Sequence, residues 1–220
     1  MKRKIALISG LLVLLIGIFS LDFIRSHEHQ KVTTSPVVVT KKGQNNKKLG
    51  QKGKVLIVFF SRSGTNYPGV TLKIGHTQRI ANEIAQVTKG EKFEIRTAKA
   101  YPKNYEATVN QAENEQQRNA RPKIVGPLPK ISKYSTIFLG YPIWWGDIPM
   151  PVRSFMDAVD LNHKSVIPFS TNEGSGWGDS LETLKQQYPQ ADFRGGFEIQ
   201  GQKADNAQKQ IDSWLHSLGY

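Results

Sequence analysis

From residue 54 onward, the chain alternates between short apolar runs and segments in which apolar residues recur at helical spacing. Continuous apolar runs occur at 54–60 (KVLIVFF), 136–141 (TIFLGY) and 165–170 (SVIPFS). Runs of this kind are typical of parallel strands that are buried on both faces. Two further segments, 92–97 and 193–199, also have strand character. The pattern therefore predicts five strands.

Apolar residues at helical spacing predict helices between and after these strands. The predicted helices are 76–87, 152–159, 179–187 and 204–218, with a more polar surface helix at 105–119. The polar helix lies in a long insertion that either shapes a binding crevice or is a plain surface excursion. Strands that alternate with helices imply a parallel sheet covered on both faces. The expected fold class is therefore α/β, a doubly wound parallel sheet.

The first quarter of the chain has a different pattern. Basic residues at positions 2–4 precede an uncharged apolar run at 5–21. At 1.5 Å per residue this run is about 25 Å long, the short end of a membrane span. Its exit lacks the small residues that signal peptidases require, so an uncleaved signal anchor is favoured over the cleaved signal of a secreted protein. The predicted organisation is an anchor helix at 1–24, a polar basic linker at 25–53 and a domain at 54–220 outside the cytoplasm.

The formal net charge is +12, and most of it lies in the same N-terminal quarter. Residues 1–54 contain 11 Lys and Arg but only 2 Asp and Glu. The domain is close to neutral, which argues against a nucleic-acid-binding protein. The chain has no cysteine, so disulfides, thiolate nucleophiles, iron–sulfur clusters and Cys-ligated zinc are excluded.

The loops after the buried strands carry the candidate chemistry, because ligands of doubly wound sheets bind at the carboxyl ends of the strands. The first loop contains Ser61, Arg62, Ser63, Gly64, Thr65 and Asn66, and His76 and Thr77 then open the next predicted helix. Hydroxyl groups and the free N–H groups of a helix start together bind anions. This loop is therefore a candidate phosphate cradle, with a plain helix cap as the alternative. It contains neither a P-loop signature nor GxGxxG.

The second and third loops are rich in aromatic residues and glycine. They contain Pro142, Ile143, Trp144, Trp145 and Gly146 after the second buried strand, and Thr171, Asn172, Glu173, Gly174 and Gly176 after the third. Two adjacent indoles in a short Pro/Gly loop do not both fit one core, so at least one is expected to face a flat ligand. Trp144 is slightly favoured, although the sequence does not decide between the two. Glycines in the third loop allow backbone amides to approach a ligand edge.

Three segments, FFSRSGTN, LGYPIWWGDIP and IPFSTNEGSGWG, resemble the FMN-binding branch of the flavodoxin-like family. The resemblance implies a five-stranded parallel sheet of order 2-1-3-4-5 and noncovalently bound FMN. The residues expected around the FMN phosphate are Ser61, Ser63, Gly64, Thr65, Asn66 and Thr77, with Arg62 and His76 beside them. Residues 142–146 would line the flavin ring, and residues 171–174 and 176 would present backbone groups to its pyrimidine edge.

The resemblance also implies the function, since FMN supplies redox chemistry that requires no side-chain acid or base. We expect an FMN-binding electron-transfer protein or oxidoreductase at the membrane surface, held there by its N-terminal helix, whose redox donor and acceptor are unidentified. Two alternatives stay open. One is an NAD(P)H-dependent quinone-type reductase in which the 101–130 insertion shapes a substrate pocket. The other is a flavin-free binding module that retains the fold.

Overall fold

The computed structural model describes residues 53–220. The predicted anchor at 1–24 and nearly all of the predicted linker lie outside these described residues. Within residues 53–220, no helix is long and apolar enough to cross a membrane.

A parallel sheet forms the centre of the domain. The strands are β1 (Val55–Phe59), β2 (Gly64–Asn66), β3 (Val70–Leu72), β4 (Glu91–Glu94), β5 (Thr136–Pro142), β6 (Ser165–Asn172), β7 (Asp192–Phe193) and β8 (Phe197–Gln200). The sheet order is β4-β1-β5-β6-β7, and β8 also pairs with β6. All of these pairs are parallel. The predicted order 2-1-3-4-5 is confirmed, with β7 and β8 sharing the fifth position. Strands β2 and β3 form a separate antiparallel hairpin.

Helices cover both faces of the sheet, as the doubly wound prediction requires. They are α1 (His76–Thr88), α2 (Tyr105–Gln117), α3 (Met150–Ala158), α4 (Ser180–Gln187) and α5 (Gln208–Ser217). Alternate residues of β1 point to opposite faces, so Ile57 packs with α1 and α5, whereas Leu56 and Val58 pack with α3 and α4. Two buried cores therefore sandwich one sheet. Its central strands are apolar on both faces for this reason.

The fifth strand position is divided in two because of Pro168 in β6. The carbonyl of Val166 accepts a hydrogen bond from Arg194 N (3.0 Å), so Val166 faces the outer edge of the sheet. Pro168, two residues further on, faces the same edge and has no N–H to donate. The segment that runs along this edge, residues 192–200, turns away from β6 at this point. A Cβ on Gly196 would lie 2.9 Å from the Pro168 carbonyl oxygen. The single strand predicted at 193–199 is consequently two short strands.

Three other boundaries differ from the sequence prediction. The strand predicted at 92–97 ends at Glu94, and the terminal helix begins at Gln208, after a 3₁₀ segment at Gly201–Asn206. The nine residues between Asn66 and His76, predicted only as a loop excursion, contain the second strand of the β2–β3 hairpin. This hairpin borders the edge of the sheet where the candidate loops meet.

Candidate functional site

A cleft of about 280 Å³ opens at the carboxyl ends of β1, β5 and β6. The sequence-predicted residues that line it are Ser61, Arg62, Asn66, His76, Thr77, Pro142, Ile143, Trp144, Trp145, Gly146, Thr171, Asn172 and Glu173. The structure thus brings together residues from all three candidate loops. Ser63, Gly64, Thr65, Gly174 and Gly176 were also predicted for the site, and they do not line this cleft.

The N-terminus of α1 forms one end of the cleft. Ser61 Oγ accepts a hydrogen bond from the Gln78 backbone N–H (3.1 Å), which caps the first turn of the helix. The residue before the helix, Gly75, packs so tightly that an added Cβ would lie 2.2 Å from Ser61 Oγ. Thr77 Oγ1 and Thr171 Oγ1 are 2.8 Å apart and tie the helix start to the end of β6. This end therefore offers helix N–H groups and hydroxyls in a fixed arrangement.

His76 borders the same end of the cleft with an unpaired imidazole. Both ring nitrogens are buried, and neither has a hydrogen-bond partner among the described residues. The ring packs against Gly201, where an added Cβ would lie 2.7 Å from His76 Cδ2 and 2.6 Å from Glu173 Oε1. Burial lowers the pKa of His76, while the charge of Asp205 raises it and that of Arg79 lowers it further. Burial therefore favours the neutral form of the imidazole beside the helix start.

The outer half of the first loop is bound to the chain leading into α2 and faces away from the cleft. Lys103 Nζ donates a hydrogen bond to Ser63 Oγ (2.8 Å). The Thr65 backbone N–H donates to the Lys103 carbonyl (2.9 Å). Gly64 lies against the same residue, since an added Cβ would meet the Lys103 carbonyl oxygen at 2.7 Å. These three loop residues stabilise the loop from outside the cleft.

Arg62 links the first loop to residues 102–103 by hydrogen bonds. Its Nη1 donates to the carbonyls of Ser63 (3.2 Å), Pro102 (3.0 Å) and Lys103 (3.3 Å), and its Nη2 donates to the Thr65 carbonyl. Burial lowers the pKa of Arg62. The guanidinium thus fixes the loop conformation and also places positive charge on the cleft wall.

The WW loop, residues 142–147, turns back on itself as a two-residue hairpin. Trp144 N donates to Asp147 O (3.0 Å), and Asp147 N donates to Trp144 O (3.1 Å). The two central residues, Trp145 (φ 50°) and Gly146 (φ 77°), are both left-handed, as a type I′ turn requires. The Asp147 carboxylate accepts hydrogen bonds from Arg153 Nη2 (2.5 Å) and Thr183 Oγ1 (3.0 Å). The turn is therefore anchored to α3 and α4.

The two indoles of this loop have different surroundings. Trp144 packs edge-on against Phe60 and Tyr101, with ring centroids 5.2 and 5.1 Å apart. Trp145 is 48% exposed, and its Nε1 donates to the Val109 carbonyl of α2 (3.1 Å). Both indoles line the cleft, and Trp145 is the more exposed of the two.

The third loop presents backbone groups and the carboxyl of Glu173, an exposed residue. Asn172 Nδ2 donates to Glu198 Oε2 (2.6 Å), while Asn172 Oδ1 accepts from the Gly174 backbone N–H (2.8 Å). Burial raises the pKa of Glu173, opposed by its hydrogen bond from Gln202. Gly174 has φ 112°, a conformation that β-carbons disfavour. Gly174 therefore shapes the third loop without lining the cleft.

Comparison with known proteins agrees with the observed fold. The sequence model of the family described as Flavodoxin matches residues 54–218. The chain belongs to the flavodoxin family.

Solved structures with the same fold include flavoproteins from several bacteria. Proteins assigned as flavoproteins in Bacteroides eggerthii and Bacteroides uniformis are each 27% identical to this flavodoxin, with TM-scores of 0.61 and 0.60. These matches cover 76% and 74% of this chain and 98% and 99% of theirs. A Lactobacillus acidophilus flavoprotein in complex with FMN is 20% identical, with a TM-score of 0.55, over 70% of this chain and 97% of that one. Among curated proteins, none matched.

Four lining residues of this flavodoxin were not expected from its sequence. They are Tyr67, Leu72, Tyr105 and Ser175. Tyr67 and Leu72 belong to the β2–β3 hairpin and its turn, and Tyr105 opens α2. An aromatic residue near the start of each of two insertions is a weak signal, because only the tertiary fold brings both insertions to the cleft mouth.

Proposed function

We propose that this protein binds FMN in the cleft and transfers electrons at a membrane surface. The observation that carries the proposal is a single cleft with a helix N-terminus at one end and an exposed indole at the other. The two ends match the two chemically distinct parts of FMN, a phosphate dianion and a flat aromatic ring system. The 27% identical Bacteroides flavoproteins support a flavin as the ligand class.

The phosphate would be held at the start of α1. The backbone N–H groups of His76 and Thr77 lie in the first turn, where a helix has no internal acceptors for them. Ser61 Oγ already accepts from Gln78 N and can donate its own proton to a phosphate oxygen. These groups fit a dianion without requiring a lysine in the cleft.

The isoalloxazine ring would lie between the WW loop and the third loop. Trp145 offers the open aromatic face, and its indole is fixed by the hydrogen bond to Val109 O. Residues 172–174 would supply backbone groups to the polar edge of the ring. When bound, FMN supplies the redox chemistry by accepting two electrons and releasing them singly or in pairs. The chain itself binds, orients and shields the ring.

The membrane location rests on the apolar run at 5–21, with the domain outside the cytoplasm. The full-length protein should sediment with membranes, and protease added to intact cells should digest the domain. Recovery of the intact mass in the soluble fraction would contradict anchoring.

The cofactor assignment is tested by titrating the purified protein with FMN and with riboflavin, which lacks the phosphate. We expect a flavin absorption spectrum with one FMN per chain and clearly weaker binding of riboflavin. Equal affinity for FMN and riboflavin would show that the cleft does not bind the phosphate. Binding of neither flavin would favour the alternative of a flavin-free binding module.

A further inference from the structure

A two-stranded ribbon on the surface of the domain is formed by two segments that the cleft does not use. The segments are residues 96–99 and 121–130, and we call them together the basic ribbon. Their backbones pair antiparallel at Thr97 and Ile124, with a hydrogen bond of 2.8 Å on either side of this pair. No residue of the basic ribbon lines the cleft, so its exposed groups have no part in the site described above.

Side chains of the basic ribbon alternate in direction, as they do along any extended chain. Ile124 packs against the core on the α3 face of the sheet, whereas its neighbours Lys123 and Val125 are exposed. Across the ribbon, Ala98 lies opposite Lys123 and Arg96 lies opposite Val125, and both are also exposed. The outer face of the ribbon therefore presents basic and apolar side chains together.

The apolar part of this face is a short uncharged tip. Residues 124–129 (IVGPLP) carry no charge and lie between Lys123 and Lys130 in the sequence. Residues 125–127 are exposed, and the valine among them has 53% of its surface exposed. The tip contains no aromatic residue, although aromatic residues supply most of the strong anchors of protein–protein interfaces.

The excess positive charge of the domain lies in and around the basic ribbon. Residues 96–133 contain 8 Lys and Arg but 3 Asp and Glu, whereas the rest of the domain contains 12 and 13. Arg96 and Arg121 form ion pairs with Glu94 and Asp157. The other six basic side chains of this segment form no ion pair with any described residue, so their charge is directed to the solvent.

One groove beside the ribbon collects several of these cations. Its basic lining residues are Lys99, Arg118, Arg121 and Lys123. Glu115 is the one carboxylate among its described lining residues, and it already accepts hydrogen bonds from the Tyr101 hydroxyl and from Gln111 Nε2 (2.8 Å). The groove therefore has a net positive charge, and it continues through Arg121 and Lys123 to the groove beside the apolar tip.

We infer that the basic ribbon docks the domain on a membrane surface that contains anionic lipids. The uncharged tip suits the boundary between headgroups and acyl chains, while the cations beside it suit lipid phosphates. An acidic protein would also suit the cations, but the tip offers no aromatic anchor for one. The presence of a membrane beside the domain rests on the proposed function, whereas the affinity of the ribbon for anionic lipid does not.

The test uses the absence of cysteine, which makes an introduced thiol the one site for a nitroxide spin label. Pro127→Cys places the label at the exposed tip of the full-length protein, which is reconstituted into phosphatidylcholine vesicles with or without phosphatidylglycerol. Phosphatidylglycerol should make the label less accessible to a water-soluble nickel chelate and more accessible to oxygen. Val87→Cys is the matched control. It lies on α1, which packs on the opposite face of the sheet, and its accessibility should not change.

A pair of double variants tests the contribution of charge. Lys99→Gln with Lys123→Gln should lower the ratio of docked to undocked protein by about 5- to 30-fold, since each lysine near an anionic surface contributes about fivefold. Lys203→Gln with Lys209→Gln is the matched control on the opposite face of the sheet and should leave the ratio unchanged. Equal losses in the two double variants would overturn the inference.

Two further outcomes separate this inference from the proposed membrane location. A label that is equally open to the chelate in both kinds of vesicle would overturn the inference and favour an acidic protein as the partner of the cations. Protein that fails to sediment with neutral vesicles would instead remove the proposed anchor. The ribbon should still bring such protein onto vesicles that contain phosphatidylglycerol, and high salt should release it.

Discussion

The two ends of the cleft are built in different ways. The phosphate end, at the start of α1 where we propose that the FMN phosphate binds, consists mostly of backbone groups and small side chains from residues 61–78. Ser61 and Gly75 are examples. The ring end depends on contacts between distant segments, such as the hydrogen bonds from Trp145 to Val109 and from Thr183 to Asp147. The first end is built mostly from residues 61–78, is closed by the contact between Thr77 and Thr171, and tolerates little added volume. The second is specified by tertiary contacts, so its side chains have separable roles.

Gly75→Ala should have the largest effect, and it tests how tightly the phosphate end is packed. The added Cβ would lie 2.2 Å from Ser61 Oγ and 2.4 Å from the Arg62 carbonyl oxygen. We expect the free energy of unfolding to fall by about 3 kcal/mol and FMN binding to be lost, measured by urea denaturation and flavin titration. Gly195→Ala is the control, because a Cβ there meets nothing within 4 Å. Equal behaviour of the two variants would contradict the tight packing.

Trp144→Ala should mainly reduce stability. Its indole packs with Phe60 and Tyr101 at the edge of the core, and removing a half-buried tryptophan costs about 2–3 kcal/mol. Trp145→Ala should instead weaken FMN binding by about 2- to 12-fold, the value of one aromatic stacking contact, with a smaller loss of stability. Denaturation and flavin titration of both variants check this separation. If Trp144→Ala weakens FMN binding and Trp145→Ala mainly reduces stability, Trp144 is the indole that contacts the ring.

Ser61→Ala should weaken FMN binding by about 10- to 150-fold, because it removes a hydroxyl donor to a dianion. Riboflavin affinity should change little. Ser63→Ala is the matched control, since its hydroxyl binds Lys103 outside the cleft and its loss should leave FMN affinity within about threefold. If Ser63→Ala is the more damaging variant, the phosphate lies on the outer side of the loop.

The smallest effect concerns pH and His76. Because burial lowers the pKa of this histidine, the unfolded chain binds a proton more readily, near its ordinary pKa of about 6.5. Stability should therefore decline as pH falls below about 7, with a slope of at most about 1.4 kcal/mol per pH unit from this group. His76→Gln should flatten that slope in denaturation series between pH 7 and about 5. An unchanged slope would show that His76 does not contribute to it.

The sequence predicts the fold well, because a doubly wound sheet is encoded by buried runs such as residues 54–60 and 136–141. The sequence also predicts that the three candidate loops meet at one edge of the sheet, since strand direction alone determines that. It does not decide which side of the first loop faces the cleft. Ser63 and Thr65 match the local motif as well as Ser61 does, and only Lys103, far along the chain, draws them outward.

The ring end was less predictable for the same reason. The adjacent tryptophans signal a site, but their division into a packed and an exposed indole depends on Tyr101 and Val109 in the insertion. The broken fifth strand likewise depends on a proline in its neighbour, Pro168. Local patterns therefore specify the elements, while contacts between insertions specify the cleft wall.

The most direct test of the FMN site is to map it by NMR on isotope-labelled protein. Adding FMN should shift the backbone amides of His76, Thr77 and residues 172–174, together with the indole N–H of Trp145. Signals of Val125 and of the Trp214 indole, which lie outside the cleft lining, should stay in place. Riboflavin should reproduce the shifts of Trp145 and residues 172–174 but not those at the start of α1. Shifts centred elsewhere, or none at saturating FMN, would contradict the account.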